Sequence, residues 1–386
     1  MIYLDNAGTT APTEECIKDF NDIVKEFGNP SSDATELGAK TKRIIEEAQD
    51  IINEFIGGKD IGRVYFTSSG SEANTWAIRG IIDKYKIKTI ITTEIEHSST
   101  YNCIKFMESQ GCNVIYIPVD EDGLIDDEIY YKACVNNPNS LVSIMYVNNE
   151  VGFSQDMYFI TDVAHQNGCI VHSDCVQAFG YSYLDVNGMH IDIITGSAHK
   201  IGCFKGIGFL YINNEVNISP LIFGGKQMDG LRGGTENVPY IYCFGQAVKR
   251  IENKYTVWDK LIERGLFLER QLRGFNINYR INCDEHHGHK IYSILLKDLA
   301  FSDVTAADIM NVLANEHDIY IAVGSACTSG YDKPSRVLKA IGLSDKDARD
   351  TIRVSITDKT EPYNIYKFVK ALKEELDILA PVELLK

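Results

Sequence analysis

Between residues 60 and 212, apolar residues fall in short runs, and a polar cluster follows many of them. Residues 64–66, 89–92, 114–118, 141–147, 170–172, 191–194 and 207–212 are predicted as strands. Segments of helical length, such as 71–83 and 160–166, separate them. Near-continuous apolar strands that alternate with helices predict an α/β unit with a parallel sheet covered on both faces. Polar residues gather at 68–72, 96–100, 148–150, 174–177 and 197–200, where strands end. Ligands in such folds sit beyond the carboxyl ends of the strands, so these five clusters are expected to meet in one crevice.

The texture changes after about residue 255. A helical stretch over 258–272 leads into strands near 292–296 and 320–323, and a helix over 363–379 follows. At 386 residues the chain is too long for one ordinary core. The expected division is a large domain over 13–254 and a smaller α+β domain made of 1–12 and 255–386. There is no internal repeat or low-complexity run.

A net charge of −16 repels phosphate backbones and anionic headgroups, which argues against nucleic acid and membrane partners. The first residues lack a basic stretch followed by an apolar one, so no secretory signal is read there, and a cytoplasmic location is expected. Ten cysteines are scattered without a C-x-x-C pair, poor spacing for zinc or a disulfide framework. Most are expected as small buried residues in a reducing compartment. The His286-His287-Gly288-His289 cluster is better explained by an exposed loop than by a metal, and no metal site is predicted.

Three clusters carry candidate chemistry. In Ser68-Ser69-Gly70-Ser71-Glu72, Gly70 would let the chain turn into a helix whose first amides and Ser71 hydroxyl can hold a phosphate. A plain helix cap explains the same residues equally well. Asp174, emerging from an apolar strand, needs a cation or several donors. A protonated pyridinium nitrogen is such a cation, and a capping role is the bland alternative. In Ser197-Ala198-His199-Lys200, a lysine after an apolar strand, with Gly202, Gly206 and Gly208 beyond, is a candidate for Schiff-base chemistry. Single lysines are mostly solvated charges, so position is what singles this one out. No dinucleotide, P-loop, nucleophile-elbow or zinc-protease motif competes.

Taken together these pieces resemble the cysteine desulfurases, the class V branch of fold-type I pyridoxal-phosphate enzymes. The resemblance runs from Tyr3-Leu4-Asp5-Asn6-Ala7-Gly8-Thr9-Thr10 through Gly28-Asn29-Pro30, Glu96-His97-Ser98 and Asn148-Asn149-Glu150-Val151-Gly152. It continues in Arg232-Gly233-Gly234-Thr235-Glu236-Asn237 and Gly324-Ser325-Ala326-Cys327-Thr328-Ser329-Gly330. It implies pyridoxal 5'-phosphate carried on Lys200, with Asp174 on the ring nitrogen. Gln177 and Asn149 would serve the ring oxygen side, and His97 would stack on the ring. Gly70, Ser71, Ser197 and His199 would hold the phosphate. Thr235 would reach the phosphate of a facing subunit, which implies a homodimer. Arg353, with Asn149 beside it, would bind the carboxylate of L-cysteine. Lys200 would then take the Cα proton, and Cys327 would accept the sulfur as a persulfide.

The small residues around Cys327 suit a travelling thiol. The sulfur would pass to an acceptor such as an iron–sulfur scaffold or a tRNA-thiolation enzyme. A selenocysteine lyase, another class V aminotransferase and a non-catalytic paralogue are the rival readings. Phe204-Lys205-Gly206 where the family usually has Pro-Lys-Gly, Ile356-Thr357 where it has Leu-Gly, and Ser71 for threonine are departures. Cys203 is either a bystander or a second thiol near the pocket.

Overall fold

The computed structural model describes residues 1–251, 254–283, 290–324 and 334–380. Its strands, in chain order, are β1 (Ile2–Tyr3), β2 (Gly62–Thr67), β3 (Thr89–Thr93), β4 (Asn113–Ile117), β5 (Leu141–Ser143) and β6 (Ile170–Asp174). Then come β7 (Ile193–Ser197), β8 (Gly208–Asn213), β9 (Tyr279–Ile281), β10 (Ile291–Leu296), β11 (Ile319–Tyr320) and β12 (Thr351–Ser355). The central sheet has the order β2-β8-β7-β6-β5-β3-β4. Neighbours from β7 through β4 pair parallel, whereas β8 runs antiparallel to both β2 and β7.

That reversal has a simple cause. Parallel neighbours need a crossover of a dozen or more residues, and the connection from β7 to β8, residues 198–207, is too short for one. This short return carries Lys200. Every residue of β5 and β7 is buried, while edge strand β4 begins exposed and is only half-buried over most of its length. The central strands therefore read as unbroken apolar runs. On one side of the sheet the rings of Phe179, Phe209 and Phe244 meet with centroids 5.0–6.0 Å apart. Burial stabilises by roughly 2–3 kcal/mol per ring.

A second core lies apart from the first. Strands β9, β10 and β12 form an antiparallel sheet, and β1 pairs parallel with β11. Helices Lys254–Gly274, Ala306–His317 and Pro362–Leu379 belong to the same region. Leu4, Leu261, Tyr292, Ile352, Phe368 and Leu372 are among its buried residues. The chain thus starts in this second core, crosses to the central sheet, and returns after residue 250. We propose the division 13–254 and 1–12 with 255–386, supported by these two buried clusters.

The run 141–147 was expected to be one strand, yet β5 stops at Ser143. Beyond it the Met145 amide donates to the Glu96 carboxylate at 3.0 Å instead of to a neighbouring strand. Thr93 Oγ1 donates to the same oxygen at 2.8 Å. The second oxygen of Glu96 is buried with no hydrogen-bond partner among the described residues. Burial pushes this carboxyl up to about 8.

Just beyond, the chain turns through Gly152, whose φ is +79°. A Cβ there would lie 2.3 Å from the Ile291 carbonyl oxygen of β10. Glycine lets the two cores touch at this point.

Two outcomes follow. Gly152→Ala should destabilise by about 2 kcal/mol, because it combines backbone strain with a clash, and its urea midpoint should fall accordingly. The folded protein holds the Glu96 proton more tightly than the unfolded chain. The stability this gives is complete below the usual 4.5 and is lost as pH rises towards about 8. Glu96→Gln cannot ionise, so its melting temperature should gain on the parent's as pH rises from about 5 to about 8. The corresponding gap in unfolding free energy should widen by up to about 1.4 kcal/mol per pH unit. A gap that stays constant with pH would contradict this account.

Candidate active site

The carboxyl ends of β6 and β7 and the start of helix Gly70–Tyr85 lie together, with Gly70 against Val176 and Ser197. Asp174 closes β6 with only 3% of its surface exposed. Its Oδ2 accepts from Asn74 Nδ2 at 2.7 Å and its Oδ1 from the Val176 amide at 3.0 Å. Asn74 is held in turn by Thr195 Oγ1, which donates to it at 2.5 Å, and it donates to Ser99 Oγ at 2.9 Å. The buried carboxylate is therefore oriented from three elements. It still has the capacity to meet a cation, since an ionised carboxylate offers about four acceptor positions.

Lys200 ends the 3-10 turn Ala198–Lys200. Its Nζ donates to the carbonyls of Ala7 and Gly8, at 2.5 and 2.7 Å. The same N-terminal segment is sewn to the turn at Thr10, whose amide and hydroxyl both donate to His199 O, and at Thr13, whose amide donates to Gly202 O. Gln177 Nε2 donates to Ala7 O at 3.0 Å, so its amide and the Lys200 amine converge on one carbonyl. Tertiary folding brings residues 7, 177 and 200 together.

The helix that starts at Gly70 is capped by Ser69, whose Oγ accepts from the Glu72 amide at 3.1 Å. The cap leaves the amides of Gly70 and Ser71 at the positive end of the helix. Gly70 was expected to provide a turn. The structure gives it another task, because a Cβ there would sit 3.0 Å from Val176 Cγ2 and 3.6 Å from Ser197 Cβ. Glycine is needed for close approach, and the extended backbone of Ser69 makes the turn. Ser71 is exposed and Ser197 is buried beside Gly70.

His97 caps helix Ser98–Ser109, its Nδ1 accepting from the Ser99 amide at 3.2 Å. That bond places the ring proton on Nε2 in the neutral form. Burial holds the imidazole below its usual pKa, against the pull of Asp174. His199 lies beside Thr9, with Nδ1 3.0 Å from its hydroxyl, and burial together with Lys200 pushes it down to about 4.

On the facing side, Arg353 of β12 is 3% exposed. Its Nη1 donates to Asn149 O at 3.0 Å and its Nη2 pairs with Asp5 at 2.8 Å. Its Nε and the Asn149 Oδ1 are buried without hydrogen-bond partners among the described residues. Thr235 is exposed, in a loop tied to the helix start by Arg232, which forms a two-pronged pair with Glu72 at 2.9 and 3.2 Å. Cys203 is buried, its sulfur 3.5 Å from that of Cys16, in the body of the protein. Cys327 and the 286–289 histidine cluster lie outside the described residues.

The structure therefore brings Lys200 and Gln177 to one carbonyl, links Asp174 through Asn74 and Ser99 to His97, sets Gly70 against Ser197, and joins Arg353 to Asn149. Sequence reasoning gave no role of their own to Asn74, Asp5 or Glu150, although Asp5 and Glu150 lie in stretches it singled out. Asn74 had a faint signal, a polar residue one turn beyond Gly70 among the buried positions of its helix. The Glu150 carboxylate accepts from Ser335 Oγ, and Gly324 packs beside both. No local pattern marks that contact.

Comparison with known proteins agrees with this geometry. The family description aminotransferase class-V matches residues 2–368. The cysteine desulfurase IscS of Clostridium botulinum strain Hall is 35% identical over 373 residues, which cover 95% of this chain and 91% of that protein. A solved NifS-like protein superposes with a TM-score of 0.88 at 27% identity, covering 98% of this chain and 100% of its own. An SspA solved in complex with cysteine gives a TM-score of 0.80 at 30% identity, covering 93% and 99%. From residue 2 to residue 368, then, the chain belongs to the class-V aminotransferase family, on its NifS/IscS-like branch.

Proposed function

We propose that this chain is a pyridoxal-phosphate cysteine desulfurase that takes sulfur from L-cysteine and releases L-alanine. The observation that carries the reading is the convergence of the Lys200 amine and the buried Asp174 carboxylate on one crevice, with Arg353 opposite.

The residues present fit the cofactor. An oriented, buried carboxylate suits a protonated ring nitrogen, and a helix start with Gly70, Ser71, Ser197 and His199 suits a phosphate. The buried Asn149 Oδ1, which has no hydrogen-bond partner among the described residues, is a polar group that a ligand could satisfy. The flat imidazole of His97, kept neutral, can stack on a ring without adding charge. When bound, pyridoxal 5'-phosphate supplies an electron sink that makes loss of a proton from the substrate Cα accessible.

The chain's own groups supply the rest. Arg353 offers its guanidinium to the substrate carboxylate, with Asp5 and the Asn149 carbonyl holding it in place. Lys200 Nζ takes up the Cα proton. Cys327 gives up its thiol proton and its Sγ bonds to the substrate sulfur. The Cβ–sulfur bond breaks with its electron pair left on the substrate, Cβ takes up one proton, Lys200 returns the other to Cα to give alanine, and a persulfide is left on Cys327. Gly324 lies beside Glu150, the neighbour of Asn149.

A persulfide is a reactive sulfur donor, so an acceptor protein must collect it. An iron–sulfur scaffold or a tRNA-thiolation enzyme is the proposed recipient, and the reducing cytoplasm is the proposed compartment. Among the described residues no helix is long and apolar enough to cross a membrane. A homodimer is proposed because Thr235 is exposed on the loop joined to the helix start. Phe223 of the neighbouring segment, paired to that loop through Ile222 and Arg232, is 84% exposed.

Lys200→Ala should abolish the visible absorbance that the cofactor gives on the parent enzyme; an unchanged spectrum would place the cofactor lysine elsewhere. Cys327→Ala should keep that absorbance while sulfide release from cysteine falls to background, and release at the parent rate would exclude Cys327 as the acceptor. Arg353→Lys should raise the KM for cysteine about tenfold or more, the effect of losing a two-pronged charged contact, as steady-state kinetics would show.

A further inference from the structure

Lys290, the residue before β10, is 2% exposed. Its Nζ sits 3.6 Å from the centre of the Tyr181 ring and donates to Gln177 Oε1 at 3.3 Å. Burial drives this amine well below its usual pKa, with Lys200 adding to the effect and Asp358 opposing it. Burying an amine is costly, and a methionine would fill the same space against Tyr181 without that cost. The return must lie in what the amine touches.

What it touches is the far end of the Gln177 amide. The near end, Nε2, donates to Ala7 O, the carbonyl that also receives Lys200 Nζ. A glutamine amide is nearly symmetric in shape but not in hydrogen bonding, so its two faces can exchange unless a neighbour forbids it. Lys290 is such a neighbour. As an ammonium it can only donate, whereas a neutral amine also carries a lone pair that can accept. Against the ammonium a flipped amide would set donor against donor at Lys290, and in either form it would set acceptor against acceptor at Ala7.

We propose that Lys290 is a positioning residue that locks the Gln177 amide with its NH2 group towards Lys200, and so fixes the hydrogen bond received by a group carried there. This rests on the reading of Lys200 as the cofactor lysine. Tyr181, Asp358 and Lys200 are the groups that set the charge of Lys290. The ring face and Asp358 favour the cation, and Lys200 disfavours it.

The test loads the parent and its variants with pyridoxal 5'-phosphate and titrates the visible band against pH. Lys290→Met should move the band's midpoint by about half a unit to one unit, the scale of one lost hydrogen bond. Its kcat should fall severalfold while the KM for cysteine changes less than about twofold, since substrate binding is untouched. Gln177→Leu should give a similar shift, and adding Lys290→Met to it should add nothing. Lys290→Gln, which can still donate to Gln177, should return the midpoint to the parent value.

A folded Lys290→Met protein with the parent midpoint, or shifts that simply add in the double variant, overturns the proposal. Should Lys290→Met not fold, Gln177→Leu carries the test. Lys290→Gln must then change nothing in that background, and a further shift overturns the proposal. A parent that shows no visible band removes the cofactor reading and this inference with it. A band present in the parent and unmoved by Lys290→Met removes this inference alone.

Discussion

Two backbone carbonyls, those of Ala7 and Gly8, receive the Lys200 amine, and the site depends on that contact. The segment 6–13 leaves the second core through Asp5, which pairs with Arg353, and then fastens to the β7–β8 return at His199, Lys200 and Gly202. One short stretch of chain, which turns at residues 6–8, thus sets the position of the lysine relative to the arginine. Carbonyls suit this task because they hold an amine by hydrogen bonds without adding a charge.

The crevice also shows how polar groups are made tolerable inside a sheet of apolar strands. Asp174 would be destabilising at the end of β6 on its own. Asn74 and the Val176 amide bring it donors, and Thr195 and Ser99 fix Asn74 in turn. Glu96 and Glu150 are treated differently. Burial raises both carboxyls, and each joins distant segments: Glu96 joins Thr93 to Met145, and Glu150 meets Ser335. All three carboxyls receive donors, and for Glu96 and Glu150 burial outweighs them.

Lys290 extends the same logic by one residue. The chain Lys290–Gln177–Ala7–Lys200 runs from the second core to the lysine, and each link is a hydrogen bond of 3.3 Å or shorter. Together with Asp5 on Arg353, it means that both functional poles of the site are supported from beyond the central sheet. The departures from the family pattern noted at Cys203 and Phe204 have a quieter explanation. Cys203 is buried against Cys16, and Phe204 stacks on Tyr240 with ring centres 5.3 Å apart. They fill space behind the lysine turn.

The central strands were legible because a strand covered on both faces must be apolar along its length, so β3, β5, β6 and β7 are marked in the sequence. Lys200 and Asp174 were legible because polar residues directly after such strands need a reason to be there. Other features required the folded chain. The reversal of β8 depends on a connection length whose meaning appears only when its neighbours are known. Asn74, Asp5 and Lys290 are ordinary polar residues whose importance comes from partners 100, 348 and 113 positions away. Local sequence determines which segments become strands and helices, since propensity and burial pattern act over a few residues. Only tertiary packing decides which polar groups share a crevice, because hydrogen bonds are short and sequence distance does not limit them.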